Sequence, residues 1–221
     1  MRGPGRGLWV VVAVAMLAMA GGAQATRAPE PDRPTSTPYA GDLSIFETPG
    51  RDQRLQIDRV MDLLKITPGK SVADIGAGSG WFTVRAARRV GSAGTVYAED
   101  INPQAIQHIE QRVQAEKLAN VKTVHGTPDD TKLAPGSVDA VFLLKVYHEI
   151  ARPVAVMQQL RAALKPGGSV GIIDRNGNGA DHGLDRAVVV QEMSDAGYRL
   201  TAKYDFTKAD GQDYFLIFAL K

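Results

Sequence analysis

"SVADIGAGSGWFTV", residues 71–84, sets an apolar run of strand length against three glycines in five positions, then opens a second apolar stretch. Gly76, Gly78 and Gly80 allow a tight turn, and their missing Cβ atoms let a ligand lie against the backbone where a helix begins. A dinucleotide fingerprint, G-x-G-x-x-G, would need its third glycine at position 81, which is Trp81. No Gly-Lys-Ser/Thr follows, as a phosphate loop requires. The spacing is G-x-G-x-G with Asp74 at the end of the strand. A carboxylate in that place suits hydroxyl and ammonium groups rather than phosphate.

Outward from this turn, strands and helices alternate. "RDQRLQIDRVMDLLKI" (51–66) predicts one helix, with Leu55, Ile57, Val60, Leu63 and Leu64 near helical spacing. "TVYAED" (95–100) predicts a strand, and residues 102–118 a helix with Asn102 as cap and Pro103 at its first position. "VKTVHG" (121–126) and "SVDAVFLLK" (137–145) read as strands, and "PVAVMQQLRAAL" (153–164) as a helix closed by "KPGG". "SVGIIDR" (169–175) is a further strand, followed by the loop "NGNGADHG" (176–183) and the helix "LDRAVVVQEMSDAG" (184–197). The last two strands, 198–206 and 214–220, are joined by a turn containing "KADGQD". The expectation is an α/β fold: a doubly wound, mostly parallel seven-stranded sheet, helices on both faces, and a C-terminal antiparallel hairpin strand. Ligands of such a sheet bind at the carboxyl ends of its strands.

The chain has 221 residues, 44% apolar and 23% charged, the balance of an ordinary globular domain with ancillary segments. Residues 1–25 read as a signal peptide: Arg2 and Arg6 with no acid, thirteen apolar residues from Leu8 to Ala20, then Ala23-Gln24-Ala25 as a cleavage site. The apolar run is short for a bilayer span. The expected location is therefore the periplasm or outside the cell, or the membrane surface if the leader is retained. Without those residues the chain has 24 basic and 24 acidic side chains, so no nucleic-acid footprint is expected. The absence of cysteine excludes thiol catalysis and thiolate metal sites. Residues 26–50, with five prolines, read as an extended linker on which only Ile45 and Phe46 are suited to dock. The domain proper is expected over 51–221.

With these elements in order, "VADIGAGSGWFT" resembles motif I of the class I S-adenosylmethionine-dependent methyltransferases, an acid followed by G-x-G-x-G. "GTVYAEDINPQAI", "VHGTPDDTKLAPGSVDAVFLLKVYHEI" and "LRAALKPGGSVGIID" resemble later segments of that family in the same order. The resemblance implies S-adenosyl-L-methionine as methyl donor, with Asp74 holding its ammonium beside the backbone of Gly76, Ala77, Gly78 and Gly80. Asp100 would accept the ribose hydroxyls and Ile101 would pack on adenine. Either Asp129 or Asp130 would accept the adenine amino group, and Lys145 would present its carbonyl to the methionine moiety. Glu99 stands where the family more often has an apolar residue, so ribose binding could shift to it.

Methyl transfer needs an aligned nucleophile and, for an O–H or N–H acceptor, a base. "YHEI" (147–150) offers His148 as that base and Tyr147 as an aromatic face or hydroxyl near the sulfonium. His182, in the glycine-rich loop, reads as solvated, and His125 as near the adenine pocket. No two histidines have helical ligand spacing and no paired acids suggest a metal-dependent enzyme, so no metal is expected. The expected acceptor is a small molecule. The alternative is an exported, non-catalytic binding module on the same fold; a nicotinamide oxidoreductase fails at Trp81.

Overall fold

The computed structural model describes residues 1, 3, 32–207 and 213–221. Apart from residues 1 and 3, the leader, and with it most of the final turn, lies outside the described residues. Seven strands form one sheet in the order β3-β2-β1-β4-β5-β7-β6. They are β1 (Ser71–Ile75), β2 (Thr95–Asp100), β3 (Val121–His125), β4 (Val138–Leu144), β5 (Leu164–Arg175), β6 (Tyr198–Tyr204) and β7 (Asp213–Leu220). Strands β1 to β5 are parallel, and β7 pairs antiparallel with both β5 and β6. This is the expected sheet, and the order of the strands reverses between β1 and β4, where a doubly wound fold opens a ligand crevice.

Short helices α1 (Arg51–Leu55) and α2 (Ile57–Leu63) replace the single helix expected over 51–66. Gln56 breaks them with a left-handed backbone (φ 46°), its Nε2 donating to the Phe206 carbonyl. Helices α3 (Trp81–Val90), α4 (Pro103–Ala115), α5 (Pro153–Ala163) and α6 (Arg186–Asp195) fall where predicted. The Asn102 side chain caps α4 by accepting from the Gln104 N–H. Strand β5 starts earlier than expected: Leu164 pairs with Val138, and the register shifts before Ser169 meets Ala140, so "KPGG" forms an irregularity inside the strand.

Two buried clusters cover the two faces of the sheet. One joins Val141, Leu143, Val170 and Ile172 to α5, α6 and the tyrosines Tyr147, Tyr198 and Tyr214. The other joins Val72, Phe142 and Phe215 to α1, α2 and α3. Trp81 and Phe82 belong to this second cluster.

The described part of the expected linker is packed on the domain. The Asp32 N–H donates to the Ala151 carbonyl, and Arg33 spans Glu192 Oε1 (2.7 Å) and the Tyr147 carbonyl (3.1 Å). Ser36 is buried, its hydroxyl donating to the Gly179 carbonyl. Beyond a 3₁₀ turn at Leu43–Glu47, Glu47 accepts from Ser79 and Arg112. Residues 32–47 thus form a strap tied down on both sides of the carboxyl edge of the sheet. Phe46 docks as expected, and Ile45 stays exposed.

Candidate active site

A cavity of about 390 Å³ lies under the strap at the carboxyl ends of β1, β2 and β4. That volume is within the small-molecule range. Asp74, Gly76, Ala77, Gly78, Asp100, Ile101 and Lys145 all line it, so the structure brings most of the predicted donor residues together. Gly76 adopts φ 64°, and a Cβ there would meet Val146 Cγ2 at 2.4 Å. Only glycine lets the end of β1 pass this close to the segment after β4. Gly80 caps α3 with φ 72° and packs on Ile109 without lining the cavity.

The cavity wall carries three neighbouring carboxylates. Asp100 Oδ2 accepts from the Gly78 N–H and Oδ1 from the Asn102 N–H, both at 2.8 Å. Each oxygen keeps a further lone-pair site for a ligand. Asp74 is buried and accepts from Thr83 Oγ1 at 2.6 Å. Glu99 is buried beside Gly126, where no Cβ would fit. Burial, reinforced by repulsion from Asp100, pushes Asp74 up to about 7 and Glu99 up to about 8, and burial raises Asp100 as well. Protons on these carboxyl groups offset the cost of the cluster when no cation is bound.

Two cationic side chains line the same cavity. Lys145, in the left-handed conformation (φ 58°), sends Nζ to the buried Asp213 at 2.6 Å. Arg51 lies over the Trp81 ring at 4.4 Å and donates to the Phe46 carbonyl at 2.6 Å. Burial lowers its pKa to about 10, which leaves it charged at neutral pH. Arg51 was legible only as the start of a helix; it reaches the glycine loop through the packing of α1 on α3.

Two sequence expectations need correcting. Asp129 is paired with Arg152 (Nε to Oδ1, 2.8 Å), and Asp130 with Lys132 (2.8 Å); neither lines the cavity, whereas Thr127, Pro128 and Thr131 do. The turn therefore presents the residues flanking the doublet. Tyr147 is fully buried in the cluster under α5 and α6, with Arg33 over its ring, and presents nothing to the cavity. His182 is exposed, as expected, and its ring centroid lies 5.9 Å from that of His148.

His148 sits in a 3₁₀ turn at Tyr147–Glu149, just after β4. It is buried, and its Nδ1 lies 2.8 Å from Oδ1 of Asp174 near the end of β5. Its backbone N–H donates to the other oxygen of Asp174. A carboxylate only accepts, so Nδ1 carries the proton and Nε2 is the free lone pair. Glu149, next in the chain, lines the cavity.

The fold is similar to that of solved methyltransferases. Residues 72–168 match the family model described as a methyltransferase domain. A demethylmenaquinone methyltransferase of Geobacillus sp. (strain WCH70) is 29% identical over 110 residues, 50% of this chain and 47% of the relative. The tRNA (adenine(58)-N(1))-methyltransferase TrmI of Thermus thermophilus is 29% identical over 135 residues, 61% of this chain and 50% of the relative. The chain spans about half the length of the curated relatives it matches. A solved SAM-dependent methyltransferase from Aquifex aeolicus shares the fold, with a TM-score of 0.74, 21% identity, and coverage of 82% of this chain and 100% of that one.

Proposed function

We propose that the chain is an S-adenosylmethionine-dependent methyltransferase acting on a small, largely apolar acceptor. The observation that carries this reading is the cluster of Asp74, Glu99 and Asp100 around a glycine turn, with Arg51 at the same cavity. Carboxylates match two vicinal hydroxyls and an ammonium group, and a single arginine matches a carboxylate. When bound, the donor supplies a methyl group already activated on a sulfonium. The protein's part is then to bind, orient and exclude water. Asp100 holds the ribose edge, Asp74 and the glycine backbone the ammonium end, and Arg51 the carboxylate. Tyr39, Leu43, Phe46 and Ile150 give the acceptor side an apolar, strap-covered wall. Help with the acceptor's proton falls to the groups around His148.

The named activities of the two relatives differ in acceptor, a quinone in one case and tRNA in the other. The balanced charge of residues 26–221 and the apolar wall favour the small molecule. The leader motif makes export the proposed location. Among the described residues no helix is long and apolar enough to cross a membrane.

Calorimetric titration of the full chain with S-adenosylmethionine and NADH tests the donor assignment, and only the first is expected to bind. Affinity should rise with pH. Asp74 and Glu99 hold protons in the empty protein up to about pH 7 and 8, and the donor's net positive charge favours their ionised forms. Binding therefore releases protons below pH 8, and the affinity at pH 8.5 should exceed that at pH 6 by on the order of tenfold. A flat profile with no buffer-dependent heat would remove the carboxylate cluster from the donor site. Independently, Arg51→Gln should weaken S-adenosylmethionine by roughly tenfold while leaving adenosine unaffected. Equal losses for both ligands would mean that Arg51 only supports the fold.

A further inference from the structure

We propose that His148, Glu149 and His182 form a binding site for a divalent transition-metal ion, zinc above all. One coordinating atom from each residue lies within 4.8 Å of the other two. The Asp174 carboxylate accepts a hydrogen bond from Nδ1–H of His148, which fixes the tautomer and turns the Nε2 lone pair outward. That lone pair faces another acceptor, Glu149 Oε1, at 3.8 Å. Two electron-pair donors facing each other at the cavity wall make a place for a positive group between them. A shared proton would draw them to hydrogen-bond distance, about 2.8 Å. Two ligands on a tetrahedral zinc, each at about 2.0–2.1 Å, stand about 3.3 Å apart. The observed gap lies on the metal side of that comparison.

His182 completes the set from the loop after β5, and small side-chain rotations bring it to bonding distance. Its backbone is left-handed (φ 58°), and its N–H donates to the buried Ser36 hydroxyl of the strap at 2.9 Å. The strap therefore places the third ligand. Two imidazoles and a carboxylate with an outer-shell Asp on one His are a donor set that zinc takes with a fourth position open. Spacing along the chain conceals it, because His182 is far from His148 in sequence and meets it only through the adjacency of β4 and β5.

Glu149 also lines the donor cavity, so the ion would stand at its wall. Resting on the methyl-transfer reading, the acceptor would be a hydroxyl-bearing molecule whose oxygen fills the open position. Coordination would release its O–H proton to solvent and leave the oxygen nucleophilic.

The test uses chelator-treated full chain titrated with Zn2+ by calorimetry and with Co2+ by visible absorption. One ion per chain is expected, with a ligand-field band of a four-coordinate site. His182→Asn, which the left-handed backbone tolerates, should weaken Co2+ by at least about 100-fold, and Asp174→Asn by about 10- to 100-fold. S-adenosylmethionine affinity of His182→Asn should be unchanged, which separates failure of the metal site from failure of the donor assignment. No saturable binding by the native chain, or undiminished binding by His182→Asn, would overturn the proposal.

Discussion

Replacing Asp100 with Ala should weaken S-adenosylmethionine binding by about 30-fold, about 2 kcal/mol, from the loss of charge-assisted hydrogen bonds. Both carboxylate oxygens already accept backbone N–H groups, from Gly78 and Asn102. Those bonds aim the remaining lone pairs, so Asp100 is an acceptor oriented before any ligand arrives. Truncation also strips two N–H groups of their partner, and the empty protein should lose about 1–2 kcal/mol of stability. Thermal melting reports that second effect separately. The two causes part company with a 2′-deoxy ligand. The native protein should bind it less well than its ribose counterpart, whereas Asp100→Ala should bind both alike. If the variant still discriminates between them, Glu99 rather than Asp100 is the hydroxyl acceptor.

What the sequence made legible was what lies on consecutive residues at strand ends. Asp74, Gly76 and Gly78 follow from one strand and the turn after it; Asp100 and Ile101 from the next; Lys145 from the fourth. Parallel strands bring these ends to one edge whatever the surrounding side chains are, so local patterns sufficed. Reading failed where position depends on a partner from elsewhere. Asp129 looked available because nothing near it in sequence announces Arg152, and Tyr147 looked exposed because nothing announces that Arg33 will cover it. The described part of 26–50 read as linker from its prolines, yet Arg33 and Ser36 hold it by hydrogen bonds to groups distant in sequence, which no periodicity reveals. Gln56 interrupts a helix whose apolar spacing alone predicted continuity. The same limit hid Asp174 behind His148: a carboxylate near the end of a buried strand carries no sequence mark distinguishing it from a turn residue.

Gly76→Ala should be the most destabilising single-methyl change in the site, at about 3 kcal/mol. A left-handed backbone costs a non-glycine residue about 1–2 kcal/mol. The added Cβ would also stand 2.4 Å from Val146 Cγ2 and 3.0 Å from its Cβ, so rotating the valine does not clear it and the backbone after β4 must move. In a domain of this size such a loss lowers the melting temperature by roughly 6–12 °C. Gly78→Ala is the control: its φ is also positive, at 56°, but its nearest side-chain neighbour is Phe46 at 3.7 Å, an ordinary contact. It should lose only the conformational part. The double variant Gly76→Ala/Val146→Ala isolates the collision, because removing the two γ-methyls relieves the overlap at the price of some packing. It should be more stable than Gly76→Ala alone, a coupling of about 1 kcal/mol or more between residues in contact. Strict additivity in that cycle would mean that β1 and the segment after β4 do not approach each other through Gly76, and the cavity between them would have a different floor.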